Sequence, residues 1–182
     1  MHFYKFFSFT PKKILFLIFL NASIQLHSHN GMIKNNRIWI SIFGEVYDVT
    51  EGENHYGKGG SYQIFAGRDA SPCYITGDFD DEGANVGVHT ISNKDLVAID
   101  HWRGFYKDSE EYHQVGVLHG NYYDEFGRPT LLLMQTMERL KLGERELTKI
   151  KQERARLRAI RKKNLEATKL REKKLSNKKQ EL

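Results

Sequence analysis

The chain predicts an α+β fold: a small sheet with short helices forming a pocket, followed by a long basic C-terminal helix. Three observations carry this expectation. Ile38 to Val49 is rich in β-branched and aromatic residues with partial alternation, the pattern of a strand, and Thr50 to Gly60 then carries four glycines. Ser92 to Tyr106 places Leu96, Ile99, Trp102, Phe105 and Tyr106 at helical spacing on one side. From Leu131 to Leu182 there is no aromatic residue, and Lys, Arg, Glu and Leu dominate.

A length of 182 residues gives room for one domain plus tails. The single cysteine, Cys73, excludes an intrachain disulfide. The formal charge of +5 hides an asymmetry: residues 131–182 hold 17 Lys/Arg and 7 Asp/Glu, a net of +10, and the rest is at −5. The chain is a mildly acidic domain with a basic tail.

At the N-terminus, Lys5, Lys12 and Lys13 precede the apolar run Ile14 to Leu20, and small or polar residues follow. A basic segment and an apolar run of this length suit a secretory signal peptide over residues 1–28, with an uncleaved anchor as the alternative. The run is short of the roughly 20 residues of a membrane span. The one Asn-x-Ser/Thr acceptor, Asn21-Ala22-Ser23, lies inside this leader. Only a short polar piece, Asn30 to Asn36, separates the leader from the first strand.

After the strand, the glycines of Thr50 to Gly60 imply a sharp turn or a close approach of backbone. Tyr62 to Ala66 reads as a short helical piece stopped at Gly67, and Asp69 as the N-cap of another. Gly52 to Lys58 matches G-x-x-x-x-G-K, but Gly59 stands where a magnesium-binding hydroxyl belongs and no long apolar helix follows, so a nucleotide loop is rejected. Asp78 to Gly83 begins like a calcium loop, yet its twelfth position is His89 rather than Glu, so it reads as a solvated acidic turn. The eight histidines share no helix face, which argues against zinc.

Ser92 with Asp95 three residues on resembles an N-cap arrangement, and the apolar stripe that follows reads as a core helix. Tyr112 to Leu118 is a short strand returning to the sheet, and Tyr122 to Gly127 a turn. In the tail, Leu133, Met137, Leu140, Leu147, Ile150 and Leu157 suggest an apolar stripe that Arg154 and Arg161 interrupt. A coiled coil is left open there. The expectation is a long, largely exposed helix over 131–182 whose first turns dock on the domain. Its charge favours an anionic membrane surface or an acidic protein; nucleic acid is disfavoured by the leader and by the lack of interleaved aromatics.

Several motifs occur here in one order. They are Phe43-Gly44-Glu45-Val46-Tyr47-Asp48-Val49-Thr50; Tyr56-Gly57-Lys58-Gly59-Gly60-Ser61-Tyr62; Tyr74-Ile75-Thr76-Gly77-Asp78-Phe79; and His101-Trp102-Arg103-Gly104-Phe105-Tyr106. Val115-Gly116 and Gly127-Arg128-Pro129-Thr130 continue them. Together they resemble the cytochrome b5-like heme/steroid-binding domain, in its membrane-associated progesterone receptor branch, over residues 37–130. The resemblance implies heme binding without the two axial histidines of cytochrome b5, since Tyr56-Gly57-Lys58-Gly59-Gly60 stands where that protein has His-Pro-Gly-Gly. It implies Tyr62 as the iron ligand, Tyr56 hydrogen-bonding near it and Tyr112 lining the pocket, with a steroid or other lipophilic molecule as a further ligand. A phenolate suits oxidised iron, and free tyrosine titrates near 10, so the metal's own charge has to favour loss of the proton. Glu111 replaces a lysine common in the family, and His55 is an alternative nitrogen donor. The competing reading is that these tyrosines only cap a packed sheet.

Two function classes follow: a non-enzymatic heme-binding protein of the endomembrane system, or a heme-free module acting through its fold surface and basic tail. No nucleophile–base pair points to an enzyme. An exposed heme face would favour a heme-dependent homodimer. The terminal Lys179-Gln180-Glu181-Leu182 is one residue from a Lys-Asp-Glu-Leu address, so the expected location is the endoplasmic reticulum lumen, with secretion as the alternative.

Overall fold

The computed structural model describes residues 26–32 and 36–180, with side chains as far as Arg171. The leader (apart from residues 26–28), the glycosylation acceptor and the terminal Glu181-Leu182 lie outside the described residues. Two compact units divide at Gly143, residues 1–143 and 144–182.

The first unit is built on a hairpin. β1 (Trp39–Ile42) and β2 (Glu45–Asp48) pair antiparallel, Trp39 opposite Asp48 and Ile42 opposite Glu45. The single strand expected over Ile38 to Val49 is thus corrected to two. Phe43 and Gly44 make the turn at φ of 48° and 76°, as a type I′ hairpin requires. Positive φ is uncommon for phenylalanine, and groups distant in sequence hold it. The Phe43 amide donates to Ser71 Oγ at 2.8 Å, and the Gly44 amide to Asp69 Oδ2 at 2.7 Å.

α1 (Glu53–Tyr56) follows a 3-10 turn at Thr50–Gly52, and α2 (Cys73–Thr76) begins after Pro72 with no side-chain cap. Asp69 is therefore not an N-cap: its carboxylate accepts from the hydroxyls of Ser41 and Ser71 as well as from the hairpin turn. The acidic segment forms α3 (Asp81–Ala84), where Asp80 caps the Gly83 amide and Asp81 pairs with Arg68. The expected solvated acidic turn is a single helical one: residues 78–82 are exposed, and Asp80 satisfies its open amide.

α4 (Asn93–Asp108) starts as the sequence predicts. Ser92 Oγ accepts from the Asp95 amide and donates to the Asp95 carboxylate. β3 (His113–Val117) lies antiparallel beside β2, giving the order β1-β2-β3 with an irregularity between Val46 and Tyr47. Ile40, Ile42, Phe43, Tyr47 and Val49 pack with Phe65, Ala70, Cys73, Leu96, Ile99 and Tyr106 in one core. On the other side of the sheet Leu26 is buried with Val46 against Trp39, Val115 and Leu118, so residues 26–28, one helical turn, join the domain.

α5 (Leu131–Gln180) is one helix. Within the first unit, Leu133, Thr136 and Leu140 are buried, and Arg139 donates to Asn93 Oδ1 and to the carbonyls of Val88 and Ile91. Gly143 does not break the helix; a Cβ there would overlap the Asn93 carbonyl. In the second unit Leu147, Leu157, Ile160, Leu165 and Leu170 are exposed. Among the described residues, no helix is long and apolar enough to cross a membrane.

Candidate functional site

Tyr56 is the last residue of α1, and the chain turns back directly after it. The Gly60 amide donates to the Gly57 carbonyl at 3.0 Å, and the Tyr62 amide to the His55 carbonyl at 2.9 Å. A Cβ on Gly60 would overlap that carbonyl, so the return requires glycine for space, whereas Gly59 requires it for its φ of 83°. Gln63 braces the loop, accepting from the Gly59 amide at 2.8 Å and donating to Met32 Sδ at 3.1 Å. The result sets the Tyr62 ring 6.0 Å from that of Tyr56.

From Tyr62 a closed circuit of aromatic rings runs round the buried ring of Tyr106. Tyr62 meets Phe65 and Phe79; Phe65 lies tilted at 4.3 Å from Tyr74; Tyr74 lies 5.8 Å from Trp102. Trp102 leads to Phe105, Phe105 to Tyr112, and Tyr112 stands edge-on to Tyr56 at 6.2 Å. The rim is open, with Tyr62 40 %, Phe79 49 %, Trp102 42 % and Phe105 52 % exposed. The floor is Tyr106, buried within 6.4 Å of Tyr56 and 5.7 Å of Tyr112.

The floor is polar as well as aromatic. The hydroxyls of Tyr56 and Tyr106 are 2.7 Å apart, and that of Tyr74 donates to Tyr106 over a longer 3.4 Å. Desolvation by burial pushes Tyr56, Tyr74, Tyr106 and Tyr112 above the usual tyrosine range. These phenols stay neutral and keep their protons for donation. The hydroxyl of Tyr62 makes no hydrogen bond with any described residue.

Tyr56, Tyr62 and Tyr112, the three tyrosines singled out in the sequence, are thus brought together. The Tyr56 hydroxyl bonds Tyr106. His55 has its ring 6.2 Å from that of Tyr62. Glu111 is exposed, and its amide and that of Tyr112 both donate to Ser109 Oγ at 3.1 Å, which fixes the backbone under the Tyr112 ring. Tyr74, Phe79, Trp102, Phe105 and Tyr106 join the three tyrosines in the structure without being marked as site residues by the sequence. The core stripe expected on α4 is corrected here: Leu96, Ile99 and Tyr106 are buried, but Trp102 and Phe105 form the rim. The signal was present in the width of the arc, since Trp102 and Phe105 extend it beyond the face that one sheet can cover.

Behind the sheet strand, Glu45 accepts from the Tyr47 hydroxyl at 2.6 Å and from Arg103 Nη1 at 3.0 Å, while Arg103 Nη2 pairs with Asp100. Desolvation opposes the Arg103 charge, yet Glu45 and Asp100 hold its pKa above the usual arginine value. Arg103 neighbours Trp102, so this buried pair ties the rim of α4 to β2.

Comparison with known proteins identifies the family of this chain. A sequence model of the cytochrome b5-like heme/steroid binding domain matches residues 23–145. The chain is 38 % identical to neuferricin of Xenopus tropicalis over 135 residues, 74 % of this chain and 47 % of that protein. It is 39 % identical to membrane-associated progesterone-binding protein 4 of Arabidopsis thaliana over 137 residues, 75 % of this chain and 55 % of that protein. The chain spans about half the length of these curated relatives. A solution structure from Arabidopsis aligns at 29 % identity and a TM-score of 0.48, over 54 % of this chain and 95 % of its own. The matched span takes in the hairpin, the glycine loop, α4 and the docked turns of α5, and the chain belongs to the cytochrome b5-like heme/steroid-binding domain family.

Proposed function

We propose that this domain is a non-enzymatic heme-binding protein of the endomembrane system, with ferric heme held through Tyr62. The observation that carries the reading is an exposed phenol, without a hydrogen-bond partner among the described residues, at the edge of a cluster of aromatic rings. Exposed ring faces suit stacking on a flat macrocycle, and a phenol oxygen is a known ligand for iron in this oxidation state. Tyr56 hydrogen-bonds near the ligand and Tyr112 lines the pocket. The same rings suit a steroid or other lipophilic ligand, which the family description and the name of the Arabidopsis relative also suggest.

Titration of the full chain with hemin, followed by absorption, tests this. Tyr62→Phe keeps the ring and removes the oxygen, and is expected to lose the phenolate-to-iron charge-transfer band and most of the affinity. Tyr56→Phe costs about 1 kcal/mol, the worth of one hydrogen bond. His55→Ala is expected to leave the spectrum unchanged. A wild-type spectrum in Tyr62→Phe overturns the assignment.

With Phe79, Trp102 and Phe105 on an open rim, one heme face stays accessible and favours a heme-dependent homodimer. Sedimentation with and without hemin, at equal size, counts against it. The second unit supports a separate contact. Residues 144–171 carry 11 Lys/Arg against 4 Asp/Glu, which suits an anionic membrane surface or an acidic protein. The basic and then apolar run up to Leu20 supports entry into the endoplasmic reticulum lumen, with secretion as the alternative. Cytosolic recovery of the tagged chain would refute both.

A further inference from the structure

Residues 26–30 are built into the domain. Leu26 is 2 % exposed, buried with Val46 against Trp39, Val115 and Leu118. The His29 amide donates to the Leu26 carbonyl at 3.0 Å, closing one turn, and the His29 carbonyl accepts from the Trp39 amide at 3.0 Å. The His29 ring lies flat on that of Trp39, with 3.7 Å between centroids and 4° between planes. Asn36 Nδ2 donates to the Ser28 carbonyl at 2.8 Å, and Asn30 bridges antiparallel to Ile38. A Cβ on Gly67 would come within 2.7 Å of the Asn30 Cβ, so the loop before Asp69 also closes on this segment. Loss of Leu26 would open the apolar face of Val46, Trp39, Val115 and Leu118 to water, the unfavourable direction for apolar surface.

We propose that the leader is cut after Ala22 or Ser23, so that the mature chain keeps Leu26 as the plug of this second apolar face. The proposal rests on the reading of the N-terminal segment as a secretory leader. The apolar run ends at Leu20, and small residues of the kind at which a leader is released follow at Ala22 and Ser23, and again at Ser28. Between Leu20 and Leu26 those two are the small residues; Asn21, Ile24 and Gln25 are not. A leader is cut from the nascent chain, before the domain folds. The fold therefore does not choose the bond, but it decides what the product can become. A cut after Ser28 removes Leu26, its carbonyl and the Ser28 carbonyl together, and the sheet face is left bare. A cut after Ala22 or Ser23 leaves three or two residues ahead of Leu26 and keeps every one of these contacts. The step is hydrolysis by a leader peptidase: the peptide bond breaks, one water is added, and a carboxylate stays on the leader and an amine on the mature chain.

The test uses the full chain expressed in cells with a secretory pathway. Protein from the lumenal and secreted fractions is read by mass spectrometry of the intact chain and of its N-terminal peptide. The expected N-terminus is Ser23 or Ile24. Any other N-terminus overturns the proposal, whether a chain that begins at His29 or a lumenal chain that keeps Met1. Ala22→Leu combined with Ser23→Leu removes both small residues and is expected to leave the leader attached; efficient release in that variant overturns the proposal as well. Leu26→Ala tests the plug: the N-terminus is expected to stay where it was while the denaturation midpoint of the mature chain falls, and Leu26→Met is expected to recover most of the loss. An unchanged midpoint in Leu26→Ala shows that the fold does not need the residue, and the argument for the boundary fails. Failure of the underlying reading looks different: the unaltered chain is then recovered from the cytosol with residues 1–20 still attached.

Discussion

The amide of Tyr62 donates to the carbonyl of His55 at 2.9 Å, and this one hydrogen bond folds the glycine loop back onto the helix that carries Tyr56. Two glycines allow it for different reasons, and the difference is measurable. Gly60→Ala introduces a Cβ that overlaps the His55 carbonyl. It is expected to destabilise the domain by about 2 kcal/mol or more and to weaken hemin binding, because Tyr62 must move. Gly59→Ala meets nothing within 4 Å and costs only the left-handed conformation, about 1 kcal/mol. Chemical denaturation and a hemin titration of both variants check the pair; equal effects on affinity would show that the loop does not position Tyr62 by space.

Arg103 and Glu45 form a mostly buried ion pair at 3.0 Å, one on α4 and one on β2. Removing the cation alone leaves a buried carboxylate without its charge partner, so Arg103→Leu is expected to destabilise by about 3 kcal/mol. Adding Glu45→Gln should recover part of that loss, since the stranded charge is gone. Denaturant midpoints of the two single variants and the double variant measure the coupling. Strict additivity would mean that the pair contributes nothing beyond packing.

The tyrosine floor also sets an alkaline limit. Burial first, then neighbouring tyrosines, raise the folded pKa of Tyr56 and Tyr74, and burial raises that of Tyr106. A raised folded value means stability that is fully present below the unfolded tyrosine value of about 10, and that falls as pH climbs above it, because the unfolded chain releases protons the folded floor retains. Phenolate absorbance from these buried rings is therefore expected to rise together with the loss of near-ultraviolet circular dichroism. Phenolate appearing in two or more steps while the tertiary signal persists would show the floor to be open to water.

Local pattern was enough for much of this molecule. The Ser92 cap and the start of α4 follow from a hydroxyl and a carboxylate three residues apart, and α5 follows from a helix-forming composition with no aromatic residue. The motifs point to the tyrosines at 56, 62 and 112, and the fold brings them into one cluster of rings. In each case the deciding interactions lie within a few residues, or within a motif read as a unit.

What tertiary structure alone decided involves partners far apart in the chain. Phe43 looks like a strand residue and becomes a turn residue because Ser71 and Asp69 bind the turn's amides. The same engagement takes Asp69 away from the helix that local pattern assigned to it. Helical spacing put Trp102 and Phe105 on the apolar side of α4, but spacing marks a face without saying what covers it, and the sheet reaches only as far as Ile99 and Tyr106. The hydroxyl pair of Tyr56 and Tyr106 joins residues fifty positions apart. A hydrogen bond of that kind leaves no local signature, because it exists only once the core has brought α1 and α4 together.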